Sequence, residues 1–241
     1  MDFEQLLKSI EAAREGFAKL WGELQTTIEK APKFLDALEQ FFDNWPAHIK
    51  GHWIAMAEHG WFLNWCTPVF GTFDDPAKID EFMIEHLDKN WDVLTGKIIE
   101  LYPKREEVLT AAFKLHQSGN YIACIPLFLS QTDGICAQNL GAYLFSEHED
   151  RLERISNRID DSNDVLTNAF LETLMTRTQI GEKISKSKAK HKLLGPNRNG
   201  ILHGSRKHLD YGTRTNSYKA FSYLAFLVYC FMRDDKAEIA A

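Results

Sequence analysis

The sequence predicts an all-α protein, an antiparallel helical bundle with an N-terminal helical extension or subdomain. Three observations carry this. Apolar residues recur at three-four spacing through most of the 241 residues. No run alternates apolar and polar residues in the manner of a strand. Most prolines and glycines fall between the periodic stretches rather than inside them.

The elements follow in order. Phe3, Leu6, Leu7, Ile10, Phe17, Leu20, Trp21, Leu24 and Ile28 line one stripe of a first helix, which Pro32 ends. "KFLDALEQFFDNW" is a second helix stopped before Pro46. "AHIKGHWIAMAEHGWFLNW" reads as a third, with Gly60 near its end. "CTPVFGTFDDP" is a loop whose Asp75 caps a helix that starts at Pro76 and runs to about Tyr102. Pro103 opens "PKREEVLTAAFKLHQSG", closed at Gly119. "NYIACIPLFLSQTDGICAQNLGAYLF" is apolar nearly all round, hence a central helix with a kink site at Pro126. "HEDRLERISNRIDDSND" suits a solvated helix or a loop. Ser162 or Asn163 caps "DVLTNAFLETLMTRTQI", and Asn216 caps the last helix, "SYKAFSYLAFLVYCFM". Pro103 is the best boundary candidate, separating residues 1–102, an N-terminal region for regulation or interaction, from 103–241. It equally suits a corner between two helices of one domain.

Composition narrows the class. Hydrophobic residues make up 44% and charged residues 26%, with a net charge of -6, which fits a globular chain and neither a disordered nor a membrane protein. The longest apolar run, residues 220–232, is too short to cross a bilayer. The N-terminus lacks the basic and apolar regions of a signal peptide. Cys66, Cys124, Cys136 and Cys230 are scattered without CxxC spacing, so they read as reduced core residues. A cytoplasmic location is expected, with no membrane partner, metal or cofactor.

The charge is uneven. Arg177, Lys183, Lys186, Lys188, Lys190, Lys192, Arg198, Arg206 and Lys207 hold nine of the 28 basic residues, and only Glu182 opposes them. Such a run attracts phosphates at long range. Alone it would be an ordinary solvated segment. It leads, however, into "LGPNRNGILHGSRKH". There Arg198 and His203 form an R-x4-H pair. On an ideal helix they diverge by roughly 140°, so they converge only at a helix end or a bend, for which Gly195, Pro196, Gly200 and Gly204 supply the breaks.

"RNGILHG" followed by "YGTRTNSYKAFSYLAFL" resembles the catalytic end of HEPN domains, the higher-eukaryote-and-prokaryote nucleotide-binding helical fold. Arg198, Asn199 and His203 match its arginine, polar residue and histidine in order. "AFKLHQSGNYIACIPLFLSQTDGIC" is similar to the paired core helices of that family, and the likeness covers roughly residues 104–233. It implies a HEPN-like bundle and a metal-independent endoribonuclease, a toxin or phage-defence effector. It implies RNA as partner and a homodimer that brings two motifs to one cleft. It also implies an acidic residue facing the motif from an earlier helix, a part open to Asp133. Asp133 can instead be a helix-end carboxylate before Gly134.

The residue chemistry suits this reading. RNA carries its own nucleophile, the 2′-OH, so cleavage needs a base, an acid and a cation against the phosphorus oxygens. His203 can serve as base or acid, Arg198 can grip two oxygens, and Asn199 can orient the histidine or a phosphate oxygen. Lys188, Lys190, Lys192, Arg206 and Lys207 are the candidate phosphate contacts. His191 and His208 flank the motif as solvated or phosphate-touching residues, and Tyr211 and Asn216 belong to the turn after it.

Other constellations are weaker. His52 and His59 share a helix face but lack the HExxH spacing of a zinc site, and Trp53, Trp61 and Trp65 beside them suit a packed aromatic face. Two rival functions stand beside the nuclease: a non-catalytic HEPN-like binding module, and a helical interaction protein whose partner surface is the tryptophan-rich stretch 53–65. An inhibitory or sensing partner is expected on the N-terminal helices.

Overall fold

The computed structural model describes residues 50–67, 76–145, 148–161, 165–175, 178–184 and 194–232. Among them every regular element is helical: α1 over 50–58, α2 Pro76–Lys89, α3 Trp91–Leu101, α4 Glu106–Gln117, α5 Tyr121–Leu140, α6 His148–Asp161, α7 Val165–Met175, α8 Arg198–Leu202 and α9 Arg214–Met232. Short 3-10 turns occupy Pro103–Arg105, Gln179–Gly181 and Arg206–His208. The two helices expected before residue 47, the caps at Asp75, Ser162 and Asn163, and the lysines from 185 to 192 lie outside the described residues.

The third expected helix is shorter than its aromatic run. Gly60 takes φ +78. Its N–H donates to the Ala57 carbonyl at 2.9 Å and the Trp61 N–H to Met56 at 2.9 Å, the paired bonds of a Schellman end. Residues 61–65 then run as irregular backbone. Trp53, Trp61 and Trp65 are only 3%, 0% and 6% exposed, which removes the tryptophan-rich stretch as a partner surface. The next expected helix also divides. At Asn90 (φ -106, ψ 12) the side chain amide donates to the His86 carbonyl at 2.8 Å, and α3 restarts at Trp91.

Residues on both sides of Pro103 contribute to one apolar cluster, and Pro103 stands at the corner between α3 and α4. α4 turns at Gly119 (φ +77) into α5, where Asn120 accepts from the Ala123 N–H. α5 carries Pro126 without ending. The carbonyl that Pro126 leaves unpaired, that of Ile122, accepts instead from the Tyr211 hydroxyl at 2.9 Å. Gly141, at φ 67, stops α5, short of the expected Phe145. The charged stretch before residue 162 is a helix, α6.

α9 is the axis of the fold. Every side chain from Ser217 to Phe231 is buried, and α5 packs along it, with α2, α3 and α7 also against it. Thr213, not Asn216, caps α9: its Oγ1 accepts from the Asn216 N–H at 3.1 Å. Phe62 stacks on Tyr223 at 4.0 Å, and the Trp91 ring lies 4.3 Å from those of His116 and Phe221. Three buried polar residues of α9 are each satisfied. Ser222 takes the Phe62 N–H, Ser217 meets His116 Nδ1 at 2.7 Å, and Lys219 Nζ lies 3.1 Å from Asp80 Oδ1.

This core makes stability depend on pH. Burial, reinforced by the nearby Arg214 charge, pushes the His116 imidazole down to about 4. Below pH 6.5 the unfolded chain binds a proton that the folded chain refuses until about pH 4. Stability is therefore lost as pH falls through that window, by about 1.4 kcal/mol per unit for a single group. His86, also pushed to about 4 by burial and by Lys89, acts in the same direction. The urea midpoint should fall between pH 7 and pH 5, with the His116 ring still neutral by NMR at pH 5. An imidazolium signal from folded His116 at pH 5 would contradict this.

Candidate functional site

The R-x4-H residues sit on α8, five residues long, and the chain around α8 explains why so short a helix holds. Asn197 (1% exposed) caps it. Its Oδ1 accepts from the Gly200 N–H at 2.6 Å, while its Nδ2 donates to the Gln179 and Glu182 carbonyls at 3.0 and 2.8 Å. At the other end Gly204 (φ +60) donates to Ile201 at 3.0 Å and Ser205 to Gly200 at 2.8 Å, closing another Schellman end. The 3-10 turn Arg206–His208 then folds the His208 ring against Gly200.

Gly200 has no room for a side chain. An added Cβ would stand 2.2 Å from His208 Cδ2. Gly200→Ala should push the ring off α8 and lower stability by about 2 kcal/mol, an overpacking cost, read as a shift in the urea midpoint. An unchanged midpoint would show that the ring does not rest on Gly200.

Arg198 is fixed from three sides. Its Nη2 lies 3.3 Å from Asp133 Oδ2, its Nη1 donates to Asn199 Oδ1 at 3.0 Å, and its guanidinium carbon stands 5.3 Å from the Phe145 ring centre. Nε has no partner among the described residues. Asp133 lies well inside α5, seven residues before its end, so it is no helix-end carboxylate. It also accepts from the Phe145 N–H at 3.1 Å. Burial raises its carboxyl above the ordinary aspartate range, against the opposing pull of that N–H and of Arg198. Asn199 does not reach the histidine: its Nδ2 donates to the Glu182 carbonyl at 3.2 Å, so its amide ties Arg198 to the 178–184 segment.

His203 is the C-cap of α8 (φ -90, ψ 5), and its ring is exposed with no side-chain partner among the described residues. Arg206 and Lys207 are exposed immediately after it. Lys188, Lys190, Lys192 and His191 lie outside the described residues. His208, expected at the surface, is instead 5% exposed.

A cavity of about 360 Å³ opens beside α8, lined by Asp80, Asn197, His208, Asp210, Tyr211 and Asn216 among others. Neither Arg198 nor His203 lines it. Asp80 is its most organised polar wall. Its Oδ1 accepts from Trp61 Nε1 at 2.7 Å and faces Lys219 Nζ at 3.1 Å, with Lys219 only 2% exposed. Burial draws the Lys219 ammonium below its usual range, and the Asp80 carboxylate opposes that shift. The sequence signal for this pair was a lysine inside an otherwise apolar helix, a residue that must find a counter-charge. His52 and His59 are half-buried, and no group of three metal-ligating side chains occurs among the described residues.

No family model, curated protein or solved structure matches the chain.

Proposed function

We propose that this chain is a metal-independent endoribonuclease of the HEPN type. The observation that carries the reading is the division of labour along α8. Arg198 is held by Asp133 and Asn199, whereas His203 stands exposed at the helix end beside Arg206 and Lys207. A guanidinium with two bonds made retains further N–H donors for the oxygens of a phosphate. An exposed imidazole can exchange a proton with a bound ribose.

In this reading His203 takes the proton from the 2′-OH as that oxygen attacks phosphorus. Arg198 offsets the charge that grows on the phosphorus oxygens. The bond to the 5′-oxygen breaks, that oxygen takes a proton, and the products carry a 2′,3′-cyclic phosphate and a 5′-OH. One imidazole cannot both remove and supply a proton in one step. A homodimer would bring a second His203 to the same cleft. The exposed side chains of Leu202 (44%) and Leu209 (67%) beside the motif support a surface covered by a second copy. Restraint by a partner on the N-terminal helices of residues 1–102, and a role as toxin or phage-defence effector, belong to the same proposal.

A second reading, a nucleotide- or nucleic-acid-binding module without turnover, draws on one observation: the cavity beside α8 excludes both motif side chains. The discriminating experiment is cleavage of a mixed RNA by the pure protein in EDTA, beside His203→Ala. Cyclic-phosphate ends formed by the parent and lost in the variant would support the nuclease. Intact RNA with a folded, dimeric parent would favour the module.

A further inference from the structure

The cavity beside α8 is built for a ligand that donates hydrogen bonds, and we infer that it receives a guanine base. The inference rests on the nuclease reading for the source of the base, an RNA chain held at His203, while binding of the base itself does not depend on turnover.

The chemistry of the walls selects the ligand. Asp80 is anchored through Oδ1 by Trp61 and Lys219, which leaves Oδ2 as its available acceptor among the described residues. Its side chain is 34% exposed and lines the cavity. Asp210, a second carboxylate, lines the same space. Carboxylates only accept, so the ligand must present donors. Two hydroxyls supply donors in return. Thr213 Oγ1 accepts from the Asn216 N–H and keeps its own proton to give, and Thr215 has no side-chain partner among the described residues. Tyr211 adds an aromatic wall, held in place by its hydroxyl bond to the Ile122 carbonyl at 2.9 Å.

Guanine alone among the four RNA bases has two adjacent N–H donors, N1–H and N2–H, next to a carbonyl acceptor. That edge matches a carboxylate flanked by hydroxyl donors, and the ring matches an aromatic wall. A free phosphate fits poorly, because no lysine or arginine among the described residues lines the cavity. The volume of about 360 Å³ is at the small end for ligand pockets and suits one nucleoside. The place also fits. His208 lines the cavity and its ring lies against Gly200, and Gly200 is three residues from His203, about 4.5 Å of helix rise. A strand of RNA with its phosphate at His203 could set a neighbouring base there.

The test is calorimetric titration of the full chain with GMP, AMP, CMP and UMP. GMP should bind at least tenfold more tightly than the other three. Asp80→Asn exchanges an acceptor for a donor and should remove that preference. It also disturbs the counter-charge of Lys219, so Asp210→Asn and Thr215→Val, which leave that pair intact, are measured beside it and should each weaken GMP severalfold. A 2′-O-methyl oligonucleotide with one guanine that binds more tightly than GMP would assign the site to RNA, and equal affinity would assign it to a free guanine nucleotide. GMP binding without RNA cleavage would support the guanine site and end the nuclease reading. Cleavage that ignores guanine, with equal or absent binding of the four nucleotides, would overturn the guanine site and leave the nuclease standing.

Discussion

Gly60→Ala is expected to destabilise the protein by about 4 kcal/mol, among the largest effects of any single substitution in the chain. Two costs combine at this position. Its φ of +78 is a left-handed conformation that an L side chain adopts at about 1–2 kcal/mol. Its Cβ would also stand 1.8 Å from the Leu194 carbonyl oxygen, a backbone atom that no rotamer change can move. Relief requires that the 61–65 stretch part from the 194–197 stretch, where Gly60 Cα now lies 3.9 Å from the position of a Gly195 Cβ. The Lys219 stem threads the same crossing, 3.3 Å from that added Gly60 Cβ. Two further alanines separate the costs. Gly119 has φ +77 with open space around it, so Gly119→Ala reports the conformational cost alone. Gly96 lies within α3 with nothing near it, and Gly96→Ala should stabilise by about 0.5–1 kcal/mol. Urea unfolding of all three gives the comparison. A Gly60 variant no worse than the Gly119 variant would mean that the two backbones do not cross so closely. The same crossing seats the residues that lead into Asn197, so Gly60→Ala should also loosen α8.

Much of the helical content was legible because burial imposes a period on the sequence. α4 shows an apolar stripe, and α5 and α9, buried on nearly every side, read as continuous apolar runs. Helix ends were harder to read. Residues 61–65 have the apolar density of a helix but follow a glycine that turns the chain, and density alone does not reveal φ. Asn90 divides α2 from α3 with a side-chain bond to its own preceding turn, a local competition that leaves no trace in periodicity. Thr213 and Asn216 are both capping residues by type, and only the path of the chain chooses between them.

The motif itself was visible because its residues are neighbours in sequence. Its support was partly visible. Asp133 stood out as a carboxylate in an apolar helix, a residue that must find a partner. Asn197 was missed, although an asparagine just before a helical stretch is a common cap. The cavity was not legible at all. Its walls come from α2, the 3-10 turn at Gln179–Gly181, the segments before and after α8 and the first turn of α9, and no local pattern joins Asp80 to Asp210 or Thr215. Pairs such as Asp80 with Lys219 are created by packing, and a single sequence carries only half of the signal, the lysine that needs an answer.

His203→Ala and Arg198→Ala should separate chemistry from architecture. The His203 ring is exposed and has no side-chain partner among the described residues, so its removal should leave the urea midpoint nearly unchanged. On the proposed nuclease reading, RNA cleavage should nevertheless fall by about 10²–10⁴-fold, the usual contribution of a positioned acid or base. Arg198→Ala should lose activity and stability together. The side chains of Arg198 and Asp133 are 24% and 12% exposed, and losing the arginine leaves the Asp133 carboxylate buried with one backbone N–H as its chief remaining donor. Breaking such a pair costs about 3 kcal/mol. Arg198→Lys refines the result. An ammonium can still face Asp133, but it cannot bond Asp133 and Asn199 together and also present a planar fork to phosphate. The lysine variant should therefore recover most of the stability and little of the cleavage. If lysine restores cleavage as fully as folding, Arg198 serves only to hold α5 to α8, and the charge that meets the phosphate must come from elsewhere, with Arg206 and Lys207 the nearest exposed cations in sequence among the described residues.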